Sequence, residues 1–518
     1  MSATVAVELV LLLLLAVSAV ALLTSRWRVP YTIALVFAGF AIDLFHVPIK
    51  EVAGNAQLLT PEIIFTLFLP ALLFESAMNL DIRTLRENLA SIILLAVVGV
   101  GAATAITGLA IHQFLGLPVL VSLLFGALIS ATDPIAVIAL FRELGVSKRL
   151  AVIVEGESLF NDGTAAVVFQ LILAGILTGQ FDPAEGVRRF LVVALGGVVV
   201  GLVIGFAVSK ITAHVDEPRI EITLTTIVAY GSYLLAEHLH VSGVLSTVMA
   251  GLTIGNYGAL TGMSPRTRVA VWSFWEYVAF LANSLVFLLI GIEVHVAQML
   301  ESWWPILMAI GAVLIGRTLT VYLLTPLSAR LGPAVPRKWN PVLVWGGLRG
   351  SVSIALALSL PQDFPHRATL LTLCFGAAAF SIVVQGLTMK PLLQWLGILE
   401  TSENVLAFQR TKQIALNATR EELESLRSMR AISNPAYEAL TKELENRTRE
   451  LEDQLHSVQQ ARPEMVSEEI RFARLRLLAT EQAAVRRGMN EGLIPAEAGE
   501  HVMAINDEEI DKLSGSAH

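Results

Sequence analysis

The stretch Glu155 to Gly163, EGESLFNDG, sets three carboxylates and an amide between two apolar runs, LAVIV and TAAVVFQLILAG. Three other apolar segments carry ionisable residues at a similar place: Asp133 in ATDPIAV, Arg317 in IGRTLT and Arg349 in WGGLRGSVS. A charge at a bilayer centre costs at least roughly 2.5–3.5 kcal/mol, so such residues pair with one another or mark an ion pathway. Asp133, Glu157 and Asp162 against Arg317 and Arg349 leave one negative charge without a fixed partner. A balanced set would be explained by ion pairs that lock helices together. An unbalanced set needs a mobile partner, and a lone carboxylate takes a proton or a small cation.

Helix periodicity separates the carboxylates. At 100° per residue, Ser158 and Asp162 share a face, as do Glu157 and Asn161, whereas Glu157 and Asp162 point about 140° apart. Glu157 is therefore assigned to a structural pair with an arginine, Arg317, and Asp162 to an aqueous cavity. Glu155 lies nearer the helix end and is expected to reach water or headgroups, without a role in the site. The segments around Asp133 and Arg349 contain helix breakers: Pro134 in one, Gly346, Gly347 and Gly350 in the other. Unwound backbone at membrane depth is tolerated where it lines a cavity or is buried in protein. Its half-helices present partial charges of both signs, which Asp133 and Arg349 are placed to compensate. A freed carbonyl of Thr132 is a further oxygen for a cation.

The elements that must hold these residues follow from composition. Of 518 residues, 55% are hydrophobic and 15% charged; a soluble chain carries about 25% charged residues. Runs of about 20 apolar residues divide the chain into thirteen expected spans, among them 30–46, 117–142, 149–176, 302–328 and 339–361. Alternate loops hold fourteen and four Lys or Arg, which puts the N-terminus outside and the C-terminal tail in the cytoplasm. The broken spans, fifth and twelfth, run in opposite directions, the pattern of an inverted-topology repeat. The stretch 3–24 lacks a basic start and a convincing cleavage site, and reads as the first span rather than a signal peptide.

Residues 1–400 form the expected membrane domain. Residues 401–518, with 15 Lys and Arg against 21 Asp and Glu, form a cytoplasmic tail of three amphipathic helices. Gly197, Gly201 and Gly205 at four-residue spacing predict close helix packing. GVGAAT lacks the third glycine of a dinucleotide site. The lone Cys374 allows no disulfide within the chain and reads as a packing residue. His112, His214, His238 and His240 read as ordinary interfacial histidines. No charge pattern points to nucleic acid.

With these residues in place, TDPIAV, EGESLFNDGTA and GGLRGSVSIALAL resemble the monovalent cation:proton antiporter family, in its sodium/proton antiporter and exchanger branch. FLPALLFESAMNLD and SLVFLLIGIEV match in kind, and the resemblance covers about residues 5–395. It implies an all-α polytopic fold of thirteen helices with inverted repeats and two crossed, broken helices. It also implies a homodimer whose core domain moves against a dimerisation domain, in the plasma membrane. Asp162 is then the ion- and proton-binding carboxylate, Asn161 orients its surroundings, and Ser158 and the Thr132 backbone are cation ligands. Asp133 and Arg349 sit at the helix crossing, and Glu157 pairs with Arg317. The implied activity is exchange of Na+ or Li+ for H+, without enzyme chemistry or cofactor, in the service of pH homeostasis. A K+/H+ antiporter is the nearest alternative; a channel would need a filter motif and an organic-ion carrier a larger cavity.

Overall fold

The computed structural model describes residues 3–27, 31–44, 60–179, 182–293, 296–398, 402–429, 431–461, 464–491 and 493–515, and its regular elements there are all helices. Ala3–Trp27 forms α1, Tyr31–Leu44 α2, 61–79 α3, Ile82–Glu87 α4 and Leu89–Leu115 α5. Val119–Leu128 and Ile135–Leu144 are α6 and α7, followed by α8 (Lys148–Thr178), α9 (Pro183–Thr212) and α10 (Pro218–His238). Then come α11 (243–261), α12 (Pro265–Glu293), α13 (Val296–Glu301), α14 (Trp303–Ser328), α15 (Asn340–Trp345), α16 (Ser351–Leu358) and α17 (Arg367–Trp395). Among the described residues six helices are long and apolar enough to cross a membrane: α5, α8, α9, α12, α14 and α17. The chain is a multi-pass helical membrane protein. Within the expected second span, 30–46, the described residues form the 14-residue α2, which is not among those six; Arg28 and Lys50, which enter the loop-charge tally, lie outside the described residues.

Local sequence sets the boundaries of the helix that matters most. The Ser147 hydroxyl accepts a hydrogen bond from the Leu150 N–H at 3.3 Å, which starts α8. Gly179, at φ +68°, ends it. At 1.5 Å per residue its 31 residues extend about 46 Å, longer than the ~30 Å hydrocarbon core, so residues 157–162 fall midway.

Two helices are interrupted. The chain leaves helical form between α6 and α7, at 129–134, and between α15 and α16, at 346–350. The breaks touch: the Asp133 N–H donates to the Leu348 carbonyl at 2.7 Å. Around them lie three apolar clusters. The largest gathers residues from α1 through α17, including Leu124, Phe125, Leu159 and Ile354. A second, with Phe141, Leu150, Val321, Trp339 and Leu343, packs one end of α7, α8, α14 and α15. The third joins α3, α10, α11 and α12 through Phe74, Val228, Ile254 and Trp275. The glycine stripe of α9 meets α11. A Cβ on Gly201 would lie 2.1 Å from the Ser246 carbonyl, and one on Gly197 would lie 2.4 Å from that of Ser242.

The chain divides at residue 398 into two compact units. The second contains four helices among its described residues: Ser402–Ser428, Asn434–Ala461, Glu464–Asn490 and Ala496–Gly515. The last was not among the three expected helices. It carries Gly499, an unfavourable residue inside a helix, and it packs against the helix before it. A Cβ on Gly499 would lie 2.2 Å from the Met489 sulfur, and Gln482 donates to Asp507 at 2.6 Å.

Candidate functional site: a buried carboxylate at the helix crossing

The centre of α8 presents Glu157, Ser158, Asn161 and Asp162, none more than 8% exposed. Glu157 meets Arg317 of α14 in a two-pronged ion pair, Nη1 to Oε1 at 2.7 Å and Nη2 to Oε2 at 2.8 Å. Parallel N–H···O bonds of this kind suit the planar guanidinium. Arg317 also donates to the Leu343 carbonyl, near the end of α15, from Nε at 3.2 Å and Nη2 at 2.9 Å. Gly347 leaves it room, since a Cβ there would lie 3.0 Å from Nε. The Asn161 amide lies against this pair, donating to Glu157 Oε1 and Thr132 Oγ1, each at 3.2 Å. Glu157 is thus an acid whose charge is answered in place.

At the crossing the half-helix ends are answered by side chains from the sequence around them. Arg349 Nη1 donates to the carbonyls of Ser130 at 3.0 Å and Ala131 at 3.4 Å, just beyond the C-terminal end of α6. Asp133 Oδ1 accepts from the Ile135 N–H at 3.0 Å, at the start of α7. Each charge faces the partial charge of opposite sign that an interrupted helix exposes. The Arg349 N–H is taken by Ser381 Oγ of α17 at 2.8 Å, and Ser353 Oγ donates to Ala131 O at 3.1 Å. Gly350 is required sterically: a Cβ would sit 2.2 Å from the Asp133 Cβ.

Asp162 differs from all of these. It is 8% exposed, its Oδ1 has no hydrogen-bond partner, and among the described residues no basic side chain pairs with it. It lines a cavity of about 50 Å³ with Thr132, Asp133, Ser158, Gly350 and, from α3, Ser76. One water-sized probe needs roughly 10–15 Å³, so the cavity admits a few waters or a cation with part of its hydration. Its polar lining is oxygen, the ligand type of hard cations. Of the eight residues singled out in the sequence, Thr132, Asp133, Ser158 and Asp162 line this cavity. Glu157, Asn161, Arg317 and Arg349 do not; they stand behind it as an ion pair, an amide bridge and a helix-end contact. Arg317 and Arg349 instead border a smaller cavity of about 10 Å³ with Ser381 and Gln385.

Two expectations change. The Thr132 carbonyl is not free, because Ser158 Oγ donates to it; the break releases it from the helix and the hydroxyl takes its place. Glu155 does not escape toward the headgroups. It lines the same cavity as Asp162 and accepts a hydrogen bond from Ser76 at 3.3 Å. The signal was present, since residues seven apart on a helix share a face, which makes Glu155, Ser158 and Asp162 one stripe. Ser76 had no such signal. The histidines at 112, 214 and 238 bond to nearby backbone carbonyls.

Crossed, interrupted helices with a buried carboxylate that lacks a basic partner beside the crossing define a secondary ion transporter. The chain belongs to the sodium/hydrogen exchanger family, whose transmembrane model matches residues 10–395. It is 42% identical over 406 residues to the low-affinity Na+/H+ antiporter NhaS1 of Synechocystis, covering 77% of this chain and 76% of that one. It is 36% identical over 501 residues to the Na+/H+ antiporter NhaG of Bacillus atrophaeus, covering 95% and 94%, so that match extends through the C-terminal unit. The fold resembles that of the sodium proton antiporter MjNhaP1 of Methanocaldococcus jannaschii, with TM-score 0.65 and 23% identity over 77% of this chain and all of that one.

Proposed function

We propose that the protein exchanges Na+ or Li+ for H+ across the cell membrane by alternating access, cation and proton competing for Asp162. The observation that carries this reading is the Asp162 carboxyl itself: buried, without a basic partner, and bordering a cavity of cation size beside Ser158 and Thr132. Glu157 and Arg317 neutralise each other, and Asp133 and Arg349 complement half-helix ends. Of the two acids left at the cavity, Glu155 accepts a hydrogen bond from Ser76, whereas Asp162 Oδ1 has no partner. A Na+ there would take oxygens from Asp162, Ser158 and the Thr132 carbonyl, with Asn161 holding Glu157 and Thr132 in register. The empty carboxylate is expensive in a low-dielectric barrier, whereas the site loaded with Na+ or H+ is neutral. Only the loaded site changes sides easily, which couples the two fluxes and prevents leak. One carboxylate exchanging one Na+ for one H+ makes the cycle electroneutral.

Relatives named as Na+/H+ antiporters support sodium over potassium. Family membership supports thirteen crossings in inverted repeats, with α6–α7 and α15–α16 as the matching broken pair. It also supports a homodimer, and a core moving against a dimerisation domain within residues 1–400. The loop-charge bias supports an outside N-terminus and a cytoplasmic tail at 401–518. The test is Na+-, Li+- and K+-driven pH change in proteoliposomes. Asp162→Asn is expected to abolish exchange while the protein still reconstitutes; retained exchange removes Asp162 from the mechanism. A net current accompanying exchange would refute the one-for-one count.

A further inference from the structure

A second buried acid lies away from this cavity, at the start of α10. Glu221 stands one turn inside that helix, its N–H bonded to the Glu217 carbonyl at 3.1 Å. It is 0% exposed, and neither of its carboxyl oxygens has a hydrogen-bond partner. Glu221, Thr225, Val228 and Ser232 follow helical spacing along the buried face of α10. Facing them, Thr267, Val271 and Trp275 are fully buried at four-residue intervals on α12. Trp275 Nε1 donates to Thr225 Oγ1 at 3.0 Å. Two turns earlier on α12, Thr267 Oγ1 donates to Asp216 Oδ1 at 3.1 Å. Along the chain Glu221 falls between Asp216 and Thr225, the partners of these two bonds, and neither donor reaches it.

The charged groups on the surrounding elements do not answer it. On α9 this is Lys210, on the connection His214, Asp216 and Glu217, and on α10 itself Arg219. Arg266, Arg268 and Glu276 stand on α12, and Glu62 and Glu75 on α3; the Arg268 guanidinium donates to the Ala259 carbonyl. Among all of these, the charge that acts on Glu221 is Asp216, another carboxylate. An ion in that position would be unsolvated, unpaired and next to a like charge, a state that buried acids avoid by keeping a proton.

We propose that Glu221 is a second proton-binding carboxyl of this protein, outside the transported-cation site, and that losing its proton loosens the packing of the α9–α10 connection against α12. Its titration then sets the pH dependence of activity without Glu221 entering the transport cycle. The proton-binding part is independent of the antiport reading; the activity part rests on it.

Infrared difference spectra of the full-length protein in lipid, titrated from neutral to alkaline pH, test the first part. In an Asp162→Asn background, a protonated-carboxyl band is expected that fades as pH rises, is lost in Asp162→Asn/Glu221→Gln, and shifts in Asp162→Asn/Glu221→Asp. Spectra unchanged by both Glu221 substitutions would overturn the proposal. Proteoliposome exchange tests the second part: Glu221→Gln is expected to keep exchange and lose the alkaline part of the wild-type pH dependence. Superimposable profiles would overturn the regulatory role, while the infrared band reports on proton binding whether or not exchange is measured.

Discussion

Glu157 and Asp162 are one and a half turns apart on a single helix, yet their surroundings make them different chemical objects. Glu157 is 2% exposed and held by two guanidinium bonds and an amide. Removing one member of such a buried pair strands the other, at a cost of about 3–5 kcal/mol, whereas replacing both with neutral groups of similar volume is often close to neutral. Arg317→Met is thus expected to lower the thermal midpoint in detergent strongly, and Glu157→Gln/Arg317→Met to recover most of the loss. A double variant as unstable as the single would show that the pair is not the stabilising unit. Ser158→Ala tests the cavity itself. Losing one ligand oxygen is expected to raise the apparent KM for Na+ by about tenfold, near 1.4 kcal/mol, with little change in thermal midpoint. An unchanged KM would remove Ser158 from the cation's coordination.

At the scale of elements, the crossing depends on backbone proximity more than on any side chain. The Asp133 N–H reaches the Leu348 carbonyl, and Gly350 lies where a methyl group would overlap Asp133. Gly350→Ala must push the two breaks apart, and exchange is expected to fall at least about tenfold, since errors on the scale of 1 Å at a working site are costly. Gly101→Ala on α5 is the control. Its added Cβ meets nothing within 4 Å, and stability should hold or rise by up to about 1 kcal/mol. Equal effects of the two would refute the crowding argument. Near the ends of α3 and α8, Lys148 hydrogen-bonds to Asp81 and holds that carboxyl below the usual carboxylate range. A depressed folded-state value stabilises above the unfolded value of about 3.9 and ceases to do so as pH falls through the lower folded one. The pair is largely exposed, so Lys148→Met should cost no more than about 1 kcal/mol at neutral pH. That difference should vanish below about pH 3 in thermal melts; a gap that persists there would assign the effect to packing.

For the whole molecule, the division at residue 398 places every residue of the cavity in the first unit. A chain ending at Ile398 is expected to fold, reconstitute and exchange cations; loss of exchange with the helix content intact would show that the C-terminal unit is needed for transport. Much of the first unit was legible because the apolar runs stand out from the polar breaks between them, and because Pro134 inside one crossing helix and three glycines inside the other mark the interruptions. The C-terminal unit was less legible. Its fourth helix, Ala496–Gly515, hydrogen-bonds to Glu464–Asn490 through Gln482–Asp507 and Asn506–Glu481. The α8 stripe was only half read, because Glu155 was judged by its distance from the helix centre rather than by its angle.

The amino-acid sequence alone determined the helical membrane class, since hydrocarbon leaves the backbone few ways to satisfy its polar groups. It also determined that acids outnumber the basic residues at the helix centres, which is a matter of composition and spacing. Helix periodicity set Glu157 apart from Asp162, and tertiary structure decided the partner of each. Glu157 finds Arg317 across 160 positions of chain, Ser158 takes up the Thr132 carbonyl, and Glu221 is enclosed without a donor, outcomes set by how distant helices pack. Periodicity gives the direction in which a side chain leaves its own helix and carries no information about what stands opposite.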